Sequence, residues 1–520
     1  MDFQQVWTPQ KLKQCSPREV EELIPQLREQ IIDAVSQTGG HLASNLGVVE
    51  LTLALHRVFD SPRDKIVFDV GHQCYAHKIL TGRGKQMQGL RQYGGISGFP
   101  KREESPHDAF GTGHASTALS AALGMARARD LKGEDHHVVV VVSDGALTGG
   151  MCYEALNDAG CSRTPLIAIL NDNQMSIAAN VGAVSGYLTY MRTSKGWLTA
   201  KKIVAEGILR LPLVGKPLHR VMQRVKNDIR NIFIKDKFFD GFGFRYLGPV
   251  DGHDEQGLER FLKRAKRFSE PVLLHVVTTK GKGYAVAESD PSRAHGMPAF
   301  DPQDGSPKHK SSAKSFGTAA GKLLTSLAEK DERIVAITAA MADSTGLGPF
   351  QQAYPKRLFD VGIAEEHAVT MAAGFAASGM RPVVAIYDTF MQRTYDQMMV
   401  DVCLQNLPVI FLGDRAALGG EDGATHHGIY GANFMRQMPN MQVLNPRSVQ
   451  EMELMIRLAL SQSGPCAIRY PKAEHPLMAA YPCKSFSPGK WEELEKGQDI
   501  TLVATGPMVA EALIASHLLR

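Results

Sequence analysis

The sequence predicts an α/β protein of two parallel-sheet domains in series, followed by the start of a third α/β domain. Three observations carry this reading. Short β-branched runs alternate with helix-length segments in both halves, a Pro-, Gly-, Ser- and Lys-rich passage separates the halves, and a lone strand-plus-helix pattern stands at the end. A chain of 520 residues is also too long for one hydrophobic core.

In the first domain, residues 1–300, the runs are KIVFDV, HHVVVVVS, PLIAILN and PVLLHVVTT. HHVVVVVS is continuously apolar, as a central strand buried on both faces must be, whereas a half-exposed antiparallel strand would alternate. Residues 183–240 fit neither sheet: they are strongly basic, with apolar residues at helical spacing. Such a segment can lie on a membrane or bind an acidic partner; it is read here as a solvated helical insertion over the sheet. The linker spans residues 296–315, GMPAFDPQDGSPKHKSSAKS. The second domain, 316–480, carries RIVAITA, RLFDVGIA, RPVVAIYD, LPVIFLGD, MQVLNP and CAIRYPK. Residues 498–520 read as one strand and one helix, the opening unit of a truncated third domain, because one such unit cannot bury both its faces.

Composition narrows the function. A net charge of +4 over this length does not imply nucleic acid. Seven cysteines without C-x-x-C spacing give neither a disulfide framework nor a zinc site, so a reducing cytoplasm is expected. No N-terminal apolar region and no run of roughly 18 apolar residues points to a membrane.

The strongest chemical signal is SDGALTGGMCYEALNDAGCSRTPLIAILNDNQMSI, residues 143–177. One predicted strand ends at Asp144 and the next at Asn171–Asn173. Parallel strands place Asp144 and Asn173 on one carboxyl edge, where open α/β sheets bind ligands. A carboxylate, an amide oxygen and a nearby backbone carbonyl make a hard-oxygen site suited to magnesium. Asp and Asn at strand ends also cap helices and form turns. Upstream, GTGHASTALSAALGMARA places Gly113, His114 and Ala115 near an expected helix start, where unsatisfied amides and the helix dipole favour anions. In RLFDVGIAEEHAVTMAAG, a strand runs into an apolar helix with Glu365 at the junction; spacing alone does not separate it from Glu366.

The 143–177 pattern resembles the thiamine-diphosphate motif, usually GDG followed by NDN. Together with HLASNLGVVE, GHQCYAHKILTGR, YGGISGFPKREES, DPSRAHGMPAFDP, YDTFMQRTYDQ, DRAALGGEDGATHHG and IRYPK, in that order, the chain resembles the 1-deoxy-D-xylulose-5-phosphate synthase family, within the transketolase-like enzymes. The resemblance implies thiamine diphosphate and Mg2+ as cofactors, with Asp144 and Asn173 as side-chain metal ligands and Met175 as a backbone ligand. It places Gly145, Ala146, Gly113, His114 and Ala115 at the diphosphate, and Ile177, Phe390, Tyr284 and His72 around the cofactor. It makes Glu365 the acid that hydrogen-bonds the aminopyrimidine, so that the cofactor bridges the two domains. Ser143 stands where the family usually has Gly, which predicts altered affinity rather than lost binding, and Ala115 departs from the usual Ser, which removes one possible hydroxyl contact.

The implied reaction joins pyruvate and glyceraldehyde 3-phosphate, with loss of carbon dioxide, to give 1-deoxy-D-xylulose 5-phosphate, feeding isoprenoid, thiamine and pyridoxal synthesis. Arg415, Arg469, Tyr387 and Asp422 match family positions at the substrate phosphate and hydroxyls, with Arg393 nearby, and guanidinium suits phosphate. His41, His295 and His426 match positions that serve proton transfer, for which imidazole suits; His427 stands where Gln is frequent. A homodimer is expected. The alternatives are transketolase and an inactive, truncated cofactor-binding relative.

Overall fold

The computed structural model describes residues 6–173, 175, 181–193, 237–309 and 313–520. The chain forms two compact units, Met1–His309 and Lys310–Arg520.

The first unit is built on a wholly parallel sheet of β1 (Lys65–Phe68), β2 (Val138–Ser143), β3 (Ile167–Asp172), β4 (Arg245–Asp251) and β5 (Val272–Val277), in the order β1-β2-β3-β5-β4. The five valines of β2 and all six residues of β3 are buried. This is the environment that branched apolar side chains on a twice-covered strand require. Ser143 pairs in register with Asn171, so both chains leave the sheet together at its carboxyl edge. Helix Ala118–Leu131 precedes β2, and helix Gly150–Ser162 connects β2 to β3.

Helix Pro17–Thr38 starts at a capping box: the Glu19 amide donates to Ser16 Oγ, and the Ser16 amide donates to Glu19 Oε2 at 2.7 Å. Its Leu23, Leu27 and Ile31 pack with Leu42, Tyr75 and Ile79 into a core beside the sheet.

Strand β4 was not among the expected strands, because RYLGPVD contains a Gly-Pro pair that reads as a breaker. It lies on the sheet edge and shifts register between Leu247 and Val250, the two circumstances in which a strand tolerates proline.

The second unit holds a second parallel sheet of β6 (Ile334–Thr338), β7 (Leu358–Asp360), β8 (Arg381–Tyr387), β9 (Ile410–Asp414), β10 (Gln442–Leu444) and β11 (Cys466–Tyr470), in the order β10-β11-β9-β8-β6-β7. Every strand expected between residues 316 and 480 is present. Phe316, Leu324, Phe350, Met452 and Ile456 cover one face, with Tyr470 fully buried among them.

The expected strand at the start of residues 498–520 is not formed; residues 501–505 are irregular. A strand exists only by hydrogen-bonding to a neighbour, and this segment pairs with none of the strands among the described residues. The helix does form, at Met508–Leu519, burying Ala510 and Leu513 against Met478.

Of the basic insertion, helix Ala183–Thr193 and the short helix Lys237–Gly241 flank its core; residues 194–236 lie outside the described residues.

Candidate functional site

At the carboxyl edge of the first sheet, adjacent strand ends bring Asp144 and Asn173 together. Asp144 is buried; its Oδ1 accepts the Gly145 amide at 3.1 Å and its Oδ2 the Asn173 amide at 3.2 Å. Asn173 Oδ1 accepts the Met175 amide at 3.0 Å, leaving one lone pair of that oxygen for another partner. Two side-chain oxygens and a neighbouring backbone carbonyl form a donor set that fits a hard divalent cation with open positions for phosphate. Ser143 Oγ accepts the Ala146 amide at 3.2 Å, so the departure at 143 makes a turn cap. Ile177 lies outside the described residues.

The helix expected to open near Gly113–Ala115 begins at Ala118 instead. Its first donors are already occupied: Asp69 Oδ1 accepts the Ser116 amide at 2.8 Å and Oδ2 the Ala118 amide at 3.1 Å. Gly113, His114 and Ala115 therefore form a loop ahead of the helix, and the dipole at that helix start faces the Asp69 carboxylate.

Three expected histidines converge in the first unit. The His41 ring lies edge-on to His72 at 5.4 Å and to His295 at 5.5 Å, and His72 and His295 are 5.2 Å apart. Asn45, fully buried, donates to the backbone carbonyls of both His41 (2.5 Å) and His72 (2.7 Å), which fixes the two loops together. Phe99 closes on His41 from another side at 5.5 Å.

Burial and the charge of Lys280 hold the His295 imidazole well below its usual pKa, so it is neutral at pH 7. Lys280 is itself buried, and burial pushes its ammonium down to about 8 against the opposing pull of Asp144. Tyr284 is half-buried; its hydroxyl donates to the Pro302 carbonyl at 2.9 Å and its ring packs near Phe300.

Asp69, Asn45, Phe99 and Lys280 were missed from the sequence. Asp69 and Lys280 sit at the ends of the legible runs KIVFDV and PVLLHVVTT, and a charged residue where a buried strand ends was the available signal. Asn45 and Phe99 carried none.

In the second unit, Glu365 opens helix Glu365–Ala377 and is 2% exposed, whereas Glu366 is half-buried. Burial raises the Glu365 pKa against the charge of Arg393, whose Nη1 lies 3.4 Å from Oε2. An enclosed carboxyl with one distant cation fits a partner that shares a proton with it.

Around the ends of β8 and β9, four expected residues form a continuous stack. The Arg415 guanidinium lies 4.3 Å over the Tyr387 ring, Tyr387 stacks on Phe390 at 5.7 Å, and Phe390 meets the edge of His426 at 5.5 Å. Arg415 has a positive φ of 60°, an uncommon conformation for a side-chain-bearing residue that points to imposed local geometry. Its Nη1 donates to Asp414 Oδ2 (2.6 Å) and the Ser344 carbonyl (3.0 Å).

His427 is occupied elsewhere, its Nδ1 accepting the Gly419 amide at 2.8 Å, which leaves His426 as the ring against Phe390. Asp422 is half-buried in the turn Gly420–Asp422. Arg469 is 7% exposed and held by Asp388.

Compared with known proteins, residues 3–278 match the family model described as 1-deoxy-D-xylulose-5-phosphate synthase, and residues 312–477 the one described as transketolase, pyrimidine binding domain. A 1-deoxy-D-xylulose-5-phosphate synthase of Clostridium tetani is 52% identical over 509 residues, covering 98% of this chain and 82% of that protein. Another, of Pelotomaculum thermopropionicum, is 51% identical over 523 residues, covering 99% and 81%. Among solved structures, a transketolase of Campylobacter jejuni matches at a TM-score of 0.41 and 20% identity over 88% of this chain and 79% of that one, too loosely to bear on the chemistry.

Proposed function

The chain belongs to the 1-deoxy-D-xylulose-5-phosphate synthase family, and from that premise we infer how its own residues divide the work. The protein is a transferase that condenses pyruvate with glyceraldehyde 3-phosphate, with decarboxylation, to 1-deoxy-D-xylulose 5-phosphate, and it uses thiamine diphosphate with a divalent metal, typically Mg2+. Transketolase is not favoured, since the relatives at about half identity carry the synthase name. When bound, thiamine diphosphate supplies the nucleophilic carbon and the electron sink that decarboxylation requires.

In our reading, Asp144, Asn173 and the Met175 carbonyl hold the metal, and Gly113, His114, Ala115, Gly145 and Ala146 surround the diphosphate. Glu365 shares a proton with the aminopyrimidine; a buried carboxyl with a raised pKa suits that task. By family resemblance, Phe390 of the second unit would stack on the aminopyrimidine, and His72, Tyr284 and Ile177 of the first would contact the cofactor. Tyr284 acts through its ring, because its hydroxyl is engaged by Pro302.

His41, His295 and His426 move protons at substrate oxygens, His295 as a neutral imidazole that can accept one. Arg415 meets the acceptor phosphate with Nε and Nη2, and Arg469 with the Nη1 hydrogen not directed at Asn445 Oδ1, since its other donors are spent on Asp388 and the Gly428 carbonyl. Tyr387 and Asp422 contact the acceptor beside them. We further propose a homodimer, on family resemblance, and a reducing cytoplasmic setting, in which the buried thiols Cys74, Cys152, Cys403, Cys466 and Cys483 stay reduced.

The observation that carries the residue assignment is the juxtaposition of Asp144 and Asn173 on adjacent parallel strand ends. The test is product analysis from 1-13C-pyruvate and glyceraldehyde 3-phosphate with cofactor and Mg2+. Labelled carbon dioxide formed one-for-one with 1-deoxy-D-xylulose 5-phosphate is expected. Ketol exchange between sugar phosphates without carbon dioxide would return the chain to transketolase.

A further inference from the structure

We propose that Ser116, gripped by Asp69, is the positioning residue that sets loops 69–72, 113–116 and 143–146 in place for the diphosphate and metal. The inference rests on the assignment of those loops to the cofactor.

Ser116 is 2% exposed and has φ of +73°, a conformation that a residue with a Cβ keeps only where its surroundings over-determine it. The surroundings here are specific. Asp69 is fully buried and anchored at the end of β1, its own amide donating to the Val141 carbonyl at 2.8 Å. Its two carboxylate oxygens take the amides of Ser116 and Ala118. The Ser116 hydroxyl then crosses to the next loop and donates to the Ala146 carbonyl at 2.8 Å.

From Ala146 the path continues. Its amide goes to Ser143 Oγ, and the adjoining Asp144 accepts the Asn173 amide. The 69–72 loop is pressed against the same region, because a Cβ on Gly71 would stand 2.3 Å from Thr112 Oγ1. A carboxylate occupying the helix-start amides also means that a bound phosphate must be met by the Gly113–Ala115 loop. The left-handed turn at Ser116 aims that loop.

Ser116 is thus the point where the loop bearing His72, the Gly113–Ala115 loop and the loop bearing Asp144 are tied. Residue 115 departs from the family's usual serine, while the hydroxyl that ties the loops is at 116.

The test uses the full chain and calorimetric titration of thiamine diphosphate at fixed Mg2+, for the parent, Ser116→Ala, Ser116→Gly and Asp69→Asn. Circular dichroism and the cofactor-free unfolding midpoint monitor the fold. Both serine variants are expected to raise the cofactor Kd by about tenfold, as loss of one buried hydrogen bond implies, with the pyruvate KM at saturating cofactor near parental. Asp69→Asn is expected to weaken binding at least as much; if it does not fold, the serine variants decide.

Ser116→Gly relieves the backbone strain while removing the hydroxyl, so parental affinity in that variant overturns the inference even if Ser116→Ala is weakened. A lowered unfolding midpoint with unchanged Kd in all variants overturns it too, as a merely structural role. A parent that binds no thiamine diphosphate overturns the functional assignment and the inference with it, whereas a binding parent with unaffected variants overturns the inference alone.

Discussion

Arg469 lays two guanidinium nitrogens against the Asp388 carboxylate, Nε to Oδ1 at 2.7 Å and Nη2 to Oδ2 at 2.9 Å, with Asp388 fully buried. Nη2 also donates to the Gly428 carbonyl, and Nη1 reaches Asn445 Oδ1 at 3.3 Å. Burial raises the Asp388 pKa against the pull of Arg469, so this carboxylate depends on its partner. Arg469→Ala should therefore destabilise the fold by about 3–5 kcal/mol, the cost of leaving one member of a buried pair alone. Denaturant unfolding of the variant checks it; a loss near zero would show that Asp388 finds water or another donor.

Arg415 differs in that its ion pair and its carbonyl contact both use Nη1, and its side chain keeps 25% exposure. Arg415→Ala should raise KM for glyceraldehyde 3-phosphate while leaving that for pyruvate nearly unchanged. The loss of a charge-assisted contact is worth about 1.5–3 kcal/mol, roughly ten- to a hundredfold. Steady-state kinetics with each substrate varied in turn decides this, and unphosphorylated glyceraldehyde as acceptor should be insensitive. Equal damage to both substrates would make Arg415 a structural residue.

Asp144→Ala removes the buried carboxylate that accepts the Gly145 and Asn173 amides and, in our assignment, coordinates Mg2+. Thiamine diphosphate binding should become weak and lose its dependence on Mg2+ concentration. A titration at several Mg2+ levels measures this, and undiminished, Mg2+-dependent binding would remove Asp144 from the metal site.

Glu365→Gln should cut turnover by about two to four orders of magnitude, the range for a positioned acid–base group. It should also change stability with a definite sign. The folded-state pKa of Glu365 is raised by burial, with the Glu366 charge adding to the rise and Arg393 opposing it. A carboxyl with a raised folded pKa destabilises the fold once both folded and unfolded forms are ionised, and this penalty fades as pH falls through the folded pKa towards the ordinary value of 4.5. Cofactor-free Glu365→Gln should therefore unfold at a higher temperature than the parent at pH 8, with the difference shrinking towards pH 4.5. A constant difference across that range would mean that Glu365 does not titrate abnormally.

Much of this protein was determined by sequence alone, because parallel strands buried on both faces must be continuously apolar. The runs HHVVVVVS, PLIAILN and LPVIFLGD could be read as strands without reference to their neighbours, and so could the side on which Asp144, Asn173 and Glu365 emerge. Motif order then identified the family. Tertiary structure decided what depends on partners. The β4 strand survives a Gly-Pro pair because it occupies an edge, while residues 501–505, with a good strand pattern, stay irregular because they pair with no strand among the described residues. Glu365 is distinguished from Glu366 by burial, and His426 from His427 by the Gly419 amide that holds the latter. The helix start expected to hold an anion was already filled by Asp69, a residue 47 positions away from Ser116. Side-chain hydrogen bonds between distant segments leave no periodicity in the sequence, since they are selected by geometry that exists only after the sheet has formed.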